Sequence, residues 1–297
     1  MTLRSSLYAA FLCMLFGGNA VAIKFSLTGV GAFTSAGLRF TIAAFVIFLW
    51  AIFTKHSLKI SKKQMLQLLI LSLFFVMQTS CLYIGLTKTT ASHGILIINL
   101  TPFFILVLAH CLIPGDQITL KKGLGVIFGF LGVIFLFFDN QPISNNFRSG
   151  DLIILFAAFF WGCNVVCAKK NINDFSIIQI TWYPMIFSLP FFFLGGYLWD
   201  PQMVKVINAN IINALLYQSL ITASFGFLAW NNLLKHFGAT SLHSFVFLMP
   251  LTGVSFGVLL LGEPLTIYLI FSIVLIVIGI IIVNTKFEGS RKKINHP

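Results

Sequence analysis

Apolar residues run along this 297-residue chain in ten long stretches. They lie at about 6–24, 33–54, 65–86, 91–113, 121–138, 151–169, 176–199, 211–233, 240–261 and 265–284, with short polar breaks between them. A helix needs roughly 20 apolar residues to cross the hydrocarbon core of a bilayer. Each stretch is long and apolar on all sides, whereas a closed β-barrel would need short alternating strands. The pattern predicts an all-α membrane protein with ten transmembrane helices. Arg4 followed by an apolar run and Ala20-Val21-Ala22 resembles a signal peptide with its cleavage site. The repeat described below pairs this stretch with an internal one, so the reading here keeps it as a span.

Composition agrees with the pattern. Apolar residues make up 58% of the chain and charged residues 9%, where a soluble domain carries about 25% charged. The ten stretches and their short loops leave no room for a second soluble domain. The formal net charge of +12 raises the question of nucleic acid. The basic residues, however, sit in short clusters between apolar runs, with no basic tract interleaved with aromatics, so no nucleic-acid partner is expected. With the N-terminus inside, fourteen of the nineteen Lys and Arg fall on one side, including Lys55, Lys59, Lys62, Lys63 and Lys292. Lys24, Arg39, Lys88, Arg148 and Lys205 fall on the other. That asymmetry predicts cytoplasmic termini and an even number of spans. The five cysteines all lie inside apolar runs without a Cys-x-x-Cys pair, as small buried hydrophobes do.

The two halves resemble each other. Phe16-Gly17-Gly18-Asn19 through Lys24 matches Trp161-Gly162-Cys163-Asn164 through Lys169 at an offset of about 145. Leu100-Thr101-Pro102 matches Leu248-Met249-Pro250, and Gly115-Asp116 matches Gly262-Glu263, at nearly the same offset. Five spans per half is an odd number, so the second half enters the membrane upside down. The expected organisation is a first five-helix repeat at 1–140, a second at 147–290 and a basic cytoplasmic tail at 291–297. Inverted repeats of this kind build transporters with the substrate site at the repeat interface and alternating access.

The paired aromatic-Gly-x-Asn segments, the Pro-centred fourth helix of each half and Leu261-Gly262-Glu263-Pro264 resemble the EamA-type branch of the drug/metabolite transporter superfamily. The resemblance covers about residues 5–285. The family's usual Trp-Gly of the first helix is Phe16-Gly17 here, and its Gly-Glu after the fourth helix is Gly115-Asp116 in the first half. The resemblance implies a multi-pass transporter of a bacterial inner membrane that exports amino acids or related neutral or zwitterionic metabolites. It implies a monomer or homodimer, with no cofactor or metal. Nucleotides, vitamins and phosphorylated sugars are alternative cargoes. Phosphorylated sugars would need several basic groups in the cavity, and Arg39 is nearly the only candidate. An intramembrane enzyme is the remaining rival, but neither His-Glu-x-x-His nor Gly-x-Ser-x-Gly occurs.

Candidate substrate-binding residues are the polar and amphipathic side chains inside the spans. Asn19 and Asn164 are repeat-related amides, able to hydrogen-bond a substrate or to bridge helices. Gln78 lies mid-span, and Tyr83 and Asn231 are equivalent at offset 148. Trp161, Trp182, Tyr183 and Trp230 present rings that line cavities or anchor interfaces. Pro102 and Pro250 interrupt the fourth helix of each half and are candidate hinges. Arg39, about five residues inside its span, can snorkel outward or attract a substrate carboxylate. His93, His110 and His243 fall in the fourth and ninth stretches and are each expected to be structural. All seven carboxylates stand at span ends or in loops. That pattern predicts weak or no proton coupling, and any coupling must use a His or an end-located acid.

Overall fold

A computed structural model describes residues 3–112, 120–139, 147–171, 175–233 and 245–284. Among these, helix is the only regular secondary structure beyond a single bridge between Val30 and Val204. The first apolar stretch forms α1 (Leu3–Gly17) and α2 (Asn19–Leu27), and the second forms α3 (Ala32–Phe53). The third is α4 (Lys62–Lys88). The fourth divides into α5 (Ala91–Ile98) and α6 (Thr101–Leu112), followed by α7 (Leu120–Phe137). The second half contains α8 (Phe147–Asn171), α9 (Ile177–Trp199) and α10 (Ala209–Leu216). A π-helical segment (Tyr217–Gly226) and α11 (227–233) continue from α10. The helices α12 (Leu248–Leu261) and α13 (Ile267–Asn284) complete the described chain. Seven of the resulting rods are long and apolar enough to cross a membrane, and three shorter apolar helices, Lys122–Phe137, Leu248–Leu261 and Ile267–Val283, accompany them.

Large apolar side chains point outward, as the bilayer demands. Leu73, Phe45 and Leu259 are exposed, while the interior combines large apolar side chains such as Phe103 and Phe192 with small and polar residues. Ala9, Ala43, Ala157, Gly17 and Gly253 let backbones approach. The helix starts carry local signals. Ser61 with Gln64 and Ser176 with Gln179 form capping boxes on α4 and α9. Gly262 ends α12 at φ 66°, a left-handed conformation that only glycine adopts without strain.

The two halves meet through contacts that are each made twice with the roles exchanged, the mark of a two-fold relation. Repeat-equivalent α3 and α9 pack antiparallel. The start of α3 gives Phe33 N–H and Thr34 N–H to Asp200, just past the end of α9, at 3.2 and 2.9 Å. Gln179, in the first turn of α9, donates to the Ser57 and Lys59 carbonyls just past the end of α3, at 3.3 and 2.9 Å. Gly17 lies against Met249 and Thr252 of α12, and its counterpart Gly162 lies against Phe104 and Ile105 of α6. The pair α7 and α13 runs antiparallel with Gly125 against Gly279 and Gly132 against Ile276. A β-carbon on Gly279 would sit 2.7 Å from the Gly125 carbonyl, so the close approach depends on these glycines. The inversion expected from an odd number of spans is thus visible in the helix directions.

The expected prolines sit differently from mid-helix kinks. Pro102 is the second residue of α6 and Pro250 the third of α12. Both occupy a first turn, where a missing N–H leaves no helix bond unmade. The break in the fourth stretch falls at Asn99-Leu100, ahead of Pro102. Leu100 at 0% exposure and Asn99, whose amide donates to the Ile95 carbonyl at 2.7 Å, are both buried there. The 291–297 tail, His243, Asp116 and the start of the ninth stretch lie outside the described residues.

Candidate functional site

A buried polar cluster lies where α2 and α3 of the first half face the π-helical segment of the second, with α4 closing it. Arg39 leaves α3 roughly 10 Å from its start, at 1.5 Å of rise per residue, and is 4% exposed. The guanidinium donates to Tyr83 Oη at 3.5 Å and to Thr222 Oγ1 at 3.2 Å, and sits 4.9 Å from the centre of the Phe40 ring. Tyr83 in turn donates to Gln218 Oε1 at 2.6 Å. The Gln218 amide donates to the Ala22 carbonyl at 3.0 Å and Ser26 Oγ at 3.2 Å. Thr222 donates to Asn19 Oδ1 at 3.0 Å and shares its proton with the Gln218 carbonyl at 2.8 Å. Ser26 and Ser35 join at 2.8 Å. The π-helical register turns Gln218, Ser219, Thr222 and Ser224 inward together, and such segments recur at functional sites. Every one of these four is at most 2% exposed.

A cavity of about 380 Å³ adjoins the cluster, also between the halves. Gly18 between α1 and α2, Val21 and Ala22 of α2, Asn213 and Tyr217 on the α10 side, and Phe256 of α12 line it. Ala22 and the Tyr217-Gln218 step belong to both walls, so the cavity and the polar cluster are neighbours. The walls are mainly apolar with a few polar groups, the usual make-up of a small-molecule pocket.

The sequence candidates separate on this frame. Asn19 and Tyr83 belong to the cluster. Asn164 instead donates to the Leu71 carbonyl at 2.9 Å, tying α8 to α4. Asn231 donates to Thr181 at 3.2 Å, Trp182 to the Ala44 carbonyl at 2.9 Å and Tyr183 to the Leu58 carbonyl at 2.5 Å. These four act as ties between helices or to the α3–α4 loop. Trp230 packs its ring edge-on to Phe16 at 5.9 Å. Gln78 is half-buried, with a buried Oε1 that meets no donor. Trp161 is 38% exposed on the bundle surface, where the helical period of α8 carries it away from the interior. Arg39 does not snorkel: the neighbouring helices enclose it. Gln218, Thr222, Ser26 and Ser35 are members that the sequence reading passed over. Their signal was present as hydroxyls and an amide inside otherwise apolar runs.

A second cluster stands at the α4–α5 end of the bundle. His93 places Nδ1 2.9 Å from Asp151 Oδ2, and its Nε2 lies 3.5 Å from Asp139 Oδ2. Thr89 donates to Asp151, and Thr266 to Asp139, each at 2.5 Å. His93 is thus no isolated structural histidine. Glu263, from the Leu-Gly-Glu-Pro motif, accepts Ala91 N–H at 2.6 Å and Ser92 N–H at 2.8 Å. A carboxylate there answers the free N–H groups and the positive end of α5. Lys24 donates to the Leu86 and Thr89 carbonyls at 2.9 and 2.8 Å, closing the end of α4.

The model of the EamA-like transporter family matches this chain twice, over residues 3–138 and 148–285. The chain belongs to the EamA-like transporter family. It is a multi-pass membrane transporter, and its relatives are named as transporters. It is 26% identical over 256 residues to the uncharacterized transporter YyaM of Bacillus subtilis, covering 84% of this chain and 83% of that one. It is 24% identical over 290 residues to a probable amino-acid metabolite efflux pump of Escherichia coli, covering 95% of each. The Salmonella typhimurium protein of the same description is 26% identical over 292 residues, again with 95% of each covered. A solved crystal structure superposes with a TM-score of 0.68 at 17% identity, covering 95% of this EamA-like chain and 96% of its own, which shows a shared fold.

Proposed function

We propose that this EamA-like protein exports amino acids or closely related zwitterionic metabolites across a bacterial inner membrane by alternating access. The observation that carries the reading is the buried polar cluster of Arg39, Tyr83, Asn19, Gln218 and Thr222, assembled from both halves beside a 380 Å³ cavity. A site shared by two inverted halves can change its exposure when one half rocks against the other. The names of the Escherichia coli and Salmonella relatives support the cargo class. Phosphorylated sugars fit less well. A phosphate monoester calls for several cations, and Lys24 is engaged with helix carbonyls.

In this reading all ten apolar helices cross the membrane, both termini are cytoplasmic, and the His93 end of the bundle faces the periplasm. The repeats occupy 1–140 and 147–290, and one or two copies of the chain make the functional unit. A reporter fused after residue 291 tests the orientation: phosphatase should be inactive there, and strong activity would overturn it. Counterflow in proteoliposomes with labelled amino acids, nucleosides, vitamins and sugar phosphates tests the cargo. Exchange of at least one amino acid is the expected result. Exchange confined to nucleosides, vitamins or sugar phosphates would overturn the assignment.

A further inference from the structure

The geometry points to Arg39 as the anchor for a substrate carboxylate: a permanently charged guanidinium, enclosed between the halves, that has no carboxylate of its own among the described residues. An arginine cannot discharge its proton to escape burial, and an uncompensated buried charge is among the costliest features a fold can carry. Two of its five donors reach neutral hydroxyls, on Tyr83 at 3.5 Å and Thr222 at 3.2 Å, and Nε–H is buried without an acceptor. The four described carboxylates are all engaged elsewhere. Asp200 caps α3, Glu263 caps α5, and Asp139 and Asp151 hold His93. The Phe40 ring steadies one face of the guanidinium and leaves its edge for a planar, two-oxygen partner. One cation suits one carboxylate.

This inference rests on the transport reading and adds a chemical requirement to it: the cargo must carry a carboxylate. It also separates two roles for Arg39. If the residue merely holds helices together, removing it weakens the protein. If its charge awaits a substrate, removing it strengthens the empty protein, because Tyr83 and Thr222 keep Gln218 and Asn19 as partners.

The test uses the full-length protein purified in detergent. The probes are the twenty standard amino acids, their carboxamides and their decarboxylated amines, each assayed by the rise in unfolding midpoint with ligand concentration. At least one amino acid should bind, and its carboxamide should bind about 10- to 100-fold more weakly. Arg39→Gln should lose that same factor for the acid and none for the carboxamide. Arg39→Met without ligand should unfold at a higher temperature than the native protein. An acid and amide bound equally well by the native protein would overturn the inference while leaving amino-acid transport intact. That comparison needs no variant, so it holds even where Arg39→Gln does not fold. A ligand-free Arg39→Met that unfolds at a lower temperature would also overturn it. Binding of none of the amino acids, with exchange of nucleosides in proteoliposomes, would overturn the amino-acid cargo assignment itself.

Discussion

Breaking the His93–Asp151 pair should destabilise the protein through the α4–α5 end of the bundle. The side chains are 2% and 1% exposed, and His93 Nδ1 lies 2.9 Å from Asp151 Oδ2. Asp151→Ala removes the acceptor of both His93 and Thr89, stranding two donors in a dry site. Removal of one partner from a buried pair costs about 3–5 kcal/mol. With an unfolding entropy of about 2 cal/mol/K per residue, the lower figure corresponds to a midpoint drop of about 5 °C for a chain of this length. Helix that survives in detergent lowers the unfolding entropy and enlarges the drop. The decisive measurement is a double-mutant cycle with His93→Ala, Asp151→Ala and both together, read as unfolding free energy in one detergent. Residues in direct contact should show a coupling of about 1–3 kcal/mol. Effects that add to within about 0.5 kcal/mol would show that the pair does not act as a unit and would sink the argument.

The repeat-related asparagines should behave differently from each other. Asn164→Ala, which loses a tie to the Leu71 carbonyl, should cost about 1 kcal/mol of stability and leave transport per folded molecule unchanged. Asn19→Ala should reduce normalised transport at least severalfold, since Asn19 holds Thr222 in the Arg39 cluster; equal transport by both variants would contradict the split. Gly279→Val should force α13 away from α7, because its β-carbon meets the Gly125 carbonyl at 2.7 Å and the Gly129 nitrogen at 2.8 Å. The expected loss is about 2 kcal/mol or more, checked by thermal unfolding, and a native midpoint would refute the close approach.

Much of the fold was legible because a bilayer leaves the chain few choices. Backbone polar groups have no water to turn to, so long apolar runs become helices, and run length sets their number. The matched aromatic-Gly-x-Asn segments foretold two related halves, and α3 runs opposite to its counterpart α9. The candidate site was legible only in part. Asn19 and Tyr83 were identifiable as polar groups inside spans, and so were Asn164, Asn231, Trp182 and Tyr183, which proved to be ties between elements. A polar side chain in a span looks the same in sequence whether its partner is a carbonyl on the next helix or a substrate.

Sequence by itself determined the helical class, the twofold organisation and the positions of the chemically capable residues, since these follow from local hydrophobicity and spacing. Tertiary structure decided which of them meet. Residues 39, 83 and 222 are far apart in the chain, and only the packing of α3, α4 and the π-helical segment brings them together. The same packing turned Trp161 outward, enclosed Arg39 rather than letting it snorkel, and set His93 between Asp139 and Asp151. Burial of a charge and the choice of its partners depend on the helices that surround it, and no local pattern in the chain encodes them.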